Sequence, residues 1–91
     1  MDHWVEVTVE LYGIARLRAG VAEVTVRART VADMLGAVER TFPALTGLVQ
    51  PSGKLAPQYL LSLDGQEFES DLKRHLNEGE RLLLLGADVG G

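Results

Sequence analysis

The group best placed to react in this chain is the carboxylate of Gly91, carried on the pair Gly90-Gly91. The other candidates fall away in turn. The histidines, His3 and His75, lie far apart and have no companion at ligand spacing. There is no cysteine, which removes a thiolate metal site, a Cys nucleophile and a disulfide framework together. Glu67, Glu69 and Asp71 alternate in a polar stretch and read as a solvated face. A general acid–base pair needs a pocket that pushes its two pKa values apart, and no such pocket is expected here. The glycines form neither a G-x-G-x-x-G nor a P-loop pattern. The final residues have a physical logic of their own. Without Cβ atoms, Gly90 and Gly91 can enter a narrow channel and bring a carboxylate up to a reactive partner. Extended, residues 86–91 reach about 20 Å. A carboxylate is a poor electrophile until activated, so an ATP-using partner would have to adenylate it. The chain itself is expected to bind no cofactor and no metal.

Composition narrows the setting. Ninety-one residues make one domain, with 46% apolar residues, which is ordinary for a globular protein. Nine basic residues against thirteen acidic leave a net charge of -4, which opposes nonspecific nucleic-acid binding. No apolar run approaches the roughly 20 residues that span a bilayer. Met1-Asp2-His3-Trp4 lacks the basic and apolar regions of a signal peptide, so a cytoplasmic location is expected, with no membrane partner.

The elements that must position the carboxylate follow from periodicity. Val5, Val7, Val9 and Leu11 alternate with Glu6, Thr8 and Glu10, a strand with one buried face. Residues 13–20 read as a connector from which Ile14 and Leu17 can fold back on the core, with Arg16 and Arg18 outward. Val24, Val26 and Ala28 mark a second strand, antiparallel to the first. Thr30 opens a helix with Asp33 three residues on, and Val31, Met34, Leu35, Val38 and Phe42 form its apolar stripe. Pro43 ends it. Residues 44–58 read as a long connector pinned by Leu45, Leu48 and Val49. Residues 59–63 form a strand, and Asp64-Gly65 predicts a tight hairpin turn to a short strand with Phe68. Leu72 and Leu76 fit a single helical turn. Leu82 to Leu85 form a strand apolar on both faces, and therefore central.

This order predicts an α+β, β-grasp (ubiquitin-like) architecture: a mixed sheet of four to five strands packed on one main helix. Residues 1–85 form the domain and residues 86–91 a flexible tail. If Leu82 and Leu84 face the helix, then Leu83, Leu85 and Leu60 share the opposite face. An exposed apolar patch there marks a partner interface.

The chain resembles the ubiquitin-like sulfur carriers of the MoaD/ThiS group, which includes the small subunit of molybdopterin synthase and the thiamine-pathway carrier. The resemblance spans essentially the whole chain. It rests on Leu11-Tyr12, Arg16-Leu17-Arg18 with Ala19-Gly20, Thr30-Val31, Phe42-Pro43, Leu63-Asp64-Gly65, Glu78-Gly79-Glu80 and the terminal Gly90-Gly91. Molybdopterin-type members usually carry Pro-Pro and an apolar residue before the glycines, where this chain has Gly86-Ala87-Asp88-Val89. The resemblance implies a protein that is not catalytic alone. A ubiquitin-activating-like adenylyltransferase would adenylate Gly91 with MgATP, and a sulfur donor would convert it to a thiocarboxylate. An acceptor enzyme, such as a molybdopterin synthase large subunit, would take the sulfur for molybdenum cofactor synthesis. Gly90 would give clearance, while Leu60, Leu83, Leu85, Val89 and Arg18 would contact partners. The alternatives are a protein modifier conjugated to lysines through Gly91, a carrier for thiamine or another sulfur-containing metabolite, and a β-grasp interaction module with an inert tail.

Overall fold

The computed structural model describes residues 3–63, 65 and 67–87. The elements run β1 (Val5–Leu11), α1 (Ile14–Ala19), β2 (Glu23–Ala28), α2 (Val31–Thr41), a 3₁₀ turn (Pro43–Leu45), β3 (Tyr59–Leu63), β4 (Glu67–Phe68) and β5 (Arg81–Gly86). The five strands form one sheet in the order β2-β1-β5-β3-β4. β1 runs antiparallel to β2 and parallel to β5, and β5 is antiparallel to β3. This is the β-grasp predicted from the strand order, with the doubly apolar strand at its centre.

Leu82 and Leu84 of β5, Val7, Val9 and Leu11 of β1, and Leu61 of β3 meet the α2 stripe Val31, Met34, Leu35 and Val38 in the core. All these side chains are almost fully buried. At about 25 cal/mol per Å² of apolar surface removed from water, this layer is the main favourable term in folding.

The start of α2 shows how the chain closes on itself. A helix leaves its first four N–H groups without internal partners. Here Val31 N–H donates to the carbonyl of Arg74 (3.0 Å) and Ala32 N–H to that of Leu72 (2.8 Å). Asp33 N–H donates to Thr30 Oγ1 (3.2 Å), and Met34 N–H to the Thr30 carbonyl (3.0 Å). The predicted cap at Thr30 is therefore present. Its reciprocal half differs: Asp33 Oδ2 accepts from the backbone N–H and Nε of Arg29 instead.

Three local expectations are corrected. Residues 72–76 are not a helical turn. They form a strap whose carbonyls cap α2 and whose Leu72 and Leu76 are buried in the core. Residues 14–19 are a short helix, not a bare connector. The helix buries Ala15 and turns Leu17 outward at 77% exposure, because side chains two positions apart lie on different helix faces. The turn between β3 and β4 spans three residues, not two: Leu63 pairs with Glu67 and Ser62 with Phe68. The long connector is anchored as expected through Leu45 and Leu48, and the Glu39 carboxylate accepts from the N–H groups of Gly47 and Leu48.

Candidate functional site

Two features converge at β5: the point where the chain leaves the sheet, and the sheet face that α2 leaves uncovered.

β5 continues to Gly86, which pairs with Tyr59. One residue on, Ala87 N–H donates to the carbonyl of Gln58 at 2.8 Å. α1 packs over this exit. A methyl on Gly86 would lie 2.9 Å from Ile14 Cγ2, closer than real Cβ contacts come, so α1 can sit there only above a glycine. The turn into α1 is made at Gly13, whose φ of 57° and ψ of -131° suit a residue without a side chain. Arg18, on the same helix, donates from Nη1 to the hydroxyl of Tyr59 at 2.7 Å. Tyr59 is 4% exposed, so its ring belongs to the core while its hydroxyl meets the guanidinium at the root of the exit.

Beside this lies a polar chain. The Tyr12 hydroxyl donates to the Glu10 carboxylate, which also accepts from Arg81 Nε at 2.9 Å. Arg81 Nη2 reaches Glu23 at 2.9 Å. The Tyr12 hydrogen bond, reinforced by Arg81, holds the Glu10 carboxyl below its ordinary pKa. The same bond raises that of Tyr12. Arg16 stacks over the Tyr12 ring, 5.1 Å from its centroid, and donates to the Leu11 carbonyl.

The uncovered face is built by strand parity. Leu82 and Leu84 point to α2, so Leu83 and Leu85 point away. Leu60 lies opposite Leu85, and Ser62 opposite Leu83. All three leucines are half-buried. Phe68, opposite Ser62, joins the same face and is 67% exposed. A cleft of about 440 Å³ opens next to them, lined by Lys54, Leu55, Leu60, Leu61, Phe68, Glu69 and Ser70. Towards β1 and β2 the same face becomes polar, with Glu10, Thr8, Thr25 and Glu23.

Leu60, Leu83 and Leu85 thus come together on one surface, and Arg18 stands apart at the exit on α1. Val89, Gly90 and Gly91 lie outside the described residues. Ile14 folds back on the core as expected, but the sequence did not place Ile14, Phe68 or Tyr59 in the site. Phe68 would have been found from a three-residue β3–β4 connection, which puts it on the face of Leu83. Nothing local pairs Ile14 with Gly86, which stand far apart in the chain.

No protein-family model matches the chain, and no curated protein matches it in sequence. Solved structures do. The crystal structure of small archaeal modifier protein 1 from Haloferax volcanii is 26% identical, with a TM-score of 0.79, over 94% of this chain and 99% of that one. The solution structure of small archaeal modifier protein 1 from Methanosarcina acetivorans is 22% identical, with a TM-score of 0.80, over 99% and 100%. A Pyrococcus furiosus protein described as molybdopterin converting factor, subunit 1, is 17% identical, with a TM-score of 0.72, over 90% and 97%. The chain has the β-grasp fold of these small proteins over nearly its whole length, and its resemblance to the ubiquitin-like sulfur carriers of the MoaD/ThiS group extends to three dimensions.

Proposed function

We propose that this protein carries sulfur as a thiocarboxylate on Gly91 and delivers it to an acceptor enzyme of the molybdopterin synthase large-subunit type. The observation that supports this reading most is the path of β5. One central strand bears the apolar patch on its outer face and leads directly to an exit locked by Ile14, Gly86, Tyr59 and Arg18. A partner that docks on Leu60, Leu83, Leu85 and Phe68 is thereby held at a set position relative to Gly86 and Ala87.

The chemistry balances with two partners. An activating adenylyltransferase joins the Gly91 carboxylate to the α-phosphate of MgATP and releases pyrophosphate. A persulfide on the sulfur donor then attacks the acyl carbon and AMP leaves. A second thiol of the donor attacks the donor-side sulfur of the resulting acyl disulfide, so the donor ends as an internal disulfide and the thiocarboxylate stays on Gly91. The chain's own contribution is to present the carboxylate and the docking face, so it acts as a co-substrate. Arg18 and Arg16 place positive charge at the exit, where they favour a partner surface with acidic groups.

The test is intact-mass measurement after co-expression with the activating enzyme encoded in the same organism. The reading expects a mass gain equal to oxygen replaced by sulfur, absent after deletion of Gly90 and Gly91. No gain, together with full function of the deleted form, overturns it. A second reading is favoured by the similarity to proteins described as modifiers. There the adenylate is attacked by a lysine amine, giving an isopeptide bond, and the protein would be found covalently attached to others.

A further inference from the structure

The long free edge of the sheet is β2, and its sequence nearly reads the same in both directions. Outward from Thr25 stand Val24 and Val26, then Glu23 and Arg27, then Ala22 and Ala28. In an antiparallel pair, each step forward on one strand is a step back on the other. With Thr25 opposite Thr25 of a second copy, valine meets valine, alanine meets alanine, and Glu23 meets Arg27 on both sides of the axis.

The backbone has the matching phase. β1 pairs with β2 from Val5↔Ala28 to Glu10↔Glu23, and Leu11 N–H donates to the Ala22 carbonyl at 2.8 Å. On the other side of β1, Thr8 N–H donates to Glu80 and Tyr12 N–H to Leu84. Odd-numbered residues of β1 therefore bond to β2 and even-numbered ones face β5. In β2, Ala22, Val24, Val26 and Ala28 bond to β1. Glu23, Thr25 and Arg27 turn their N–H and C=O groups outward, and among the described residues no strand of the sheet lies beyond them. These are the residues that the symmetric register makes hydrogen-bonded pairs, each exchanging two N–H···O=C bonds.

The side chains agree. Glu23, Thr25 and Arg27 are exposed on the outer face, while Val24 and Val26 are half-buried at the margin of the core. Glu23 already binds Arg81, yet its side chain remains 53% exposed and open to a second guanidinium. We propose that two copies of the chain associate through β2, Thr25 against Thr25 about a two-fold axis, joining their sheets edge to edge. The contact is isologous and closes on itself, so a flat edge that would otherwise invite open-ended pairing is capped. Any extended peptide could add to such an edge, but the Glu23–Arg27 complementarity selects this chain's own strand. One strand per copy makes a small interface, so the dissociation constant falls between about 10 µM and 1 mM. β1 separates β2 from β5, leaving Leu83 and Gly86 free for partners.

Sedimentation equilibrium of the full chain up to about 2 mM tests this directly, and expects a monomer–dimer equilibrium in that range. Thr25→Pro removes an N–H that faces away from β1, so the dimer weakens at least about tenfold while the circular dichroism spectrum is kept. Arg27→Glu and Glu23→Arg each bring like charges together and are monomeric alone. Mixed, they form a one-to-one heterodimer with affinity within about threefold of the original. If Thr25→Pro does not fold, the mixing experiment decides by itself. The proposal is overturned by a chain that stays monomeric throughout, by a mixture that fails to associate, or by a dimer that survives Thr25→Pro and is lost in Leu83→Glu. None of these readings involves the activating enzyme, so they are independent of the chemistry proposed for Gly91.

Discussion

Ile14 Cγ2 lies where a side chain on Gly86 would have to go, 2.9 Å from the position of its Cβ. The branch of an isoleucine cannot swing aside as the end of a lysine can. Gly86→Ala is therefore expected to cost about 1–3 kcal/mol, and Gly86→Val more. Urea unfolding measures this. Ile14→Ala introduced beside Gly86→Ala should recover much of the loss. A double variant whose losses simply add would show that the contact is not the cause.

The Arg18–Tyr59 bond ties α1 to β3 at the exit. Tyr59→Phe removes the acceptor but keeps the buried ring, so a stability loss of only about 0.5–1.5 kcal/mol is expected. Arg18→Ala should cost about the same and, in addition, slow association with an acidic partner in low salt. Stopped-flow binding at two ionic strengths separates these effects. Arg18 is only structural if both variants bind at the original rate.

Neighbouring residues of β5 should respond in opposite ways to the same change. Leu84→Glu buries an unpaired carboxylate beside α2 and should leave the domain unfolded at 25 °C, since several kcal/mol is most of the stability of a small domain. Leu83→Glu is expected to fold, with a melting temperature lowered by a few degrees, and to lose affinity for the acceptor at least about tenfold. Circular dichroism and calorimetric titration report the two effects. A Leu83→Glu chain that does not fold would put Leu83 in the core.

Acid should loosen the strap that caps α2. Arg74 binds Glu69 at 2.6 Å and Glu80 at 2.7 Å. Burial alone would raise the pKa of Glu80, but the Arg74 hydrogen bond, the Asn77 N–H and the Arg74 charge outweigh it and hold the pKa below 4.5. Asp33 is likewise held below its ordinary value: burial opposes this, but the bonds to Arg29 and Thr30 prevail. A depressed carboxyl pKa stabilises the fold above the unfolded-state value, and that contribution is lost as pH falls through the folded value. The urea midpoint should stay level from about pH 7 to pH 5.5 and drop below about pH 4.5. Arg74→Met should cost about 1–3 kcal/mol at neutral pH, with the gap to the parent chain narrowing towards pH 3.

Periodicity is local, and what rests on it was legible from the sequence alone. The alternation in β1, the stripe on α2, the cap at Thr30 and the two-sided β5 specify a β-grasp, because each residue's neighbours along the chain decide its face. The same parity groups Leu60, Leu83 and Leu85. Tertiary structure decided what depends on residues far apart. The three-residue connection turned Phe68 outward, since one extra residue reverses every side chain after it. The carbonyls of residues 72–76 were drawn to the N–H groups of α2, which no helical turn there would have satisfied. Ile14 came to rest on Gly86 because α1 must cover the end of a strand that begins more than sixty residues later in the chain. Close packing between such distant elements has no trace in the spacing of either one.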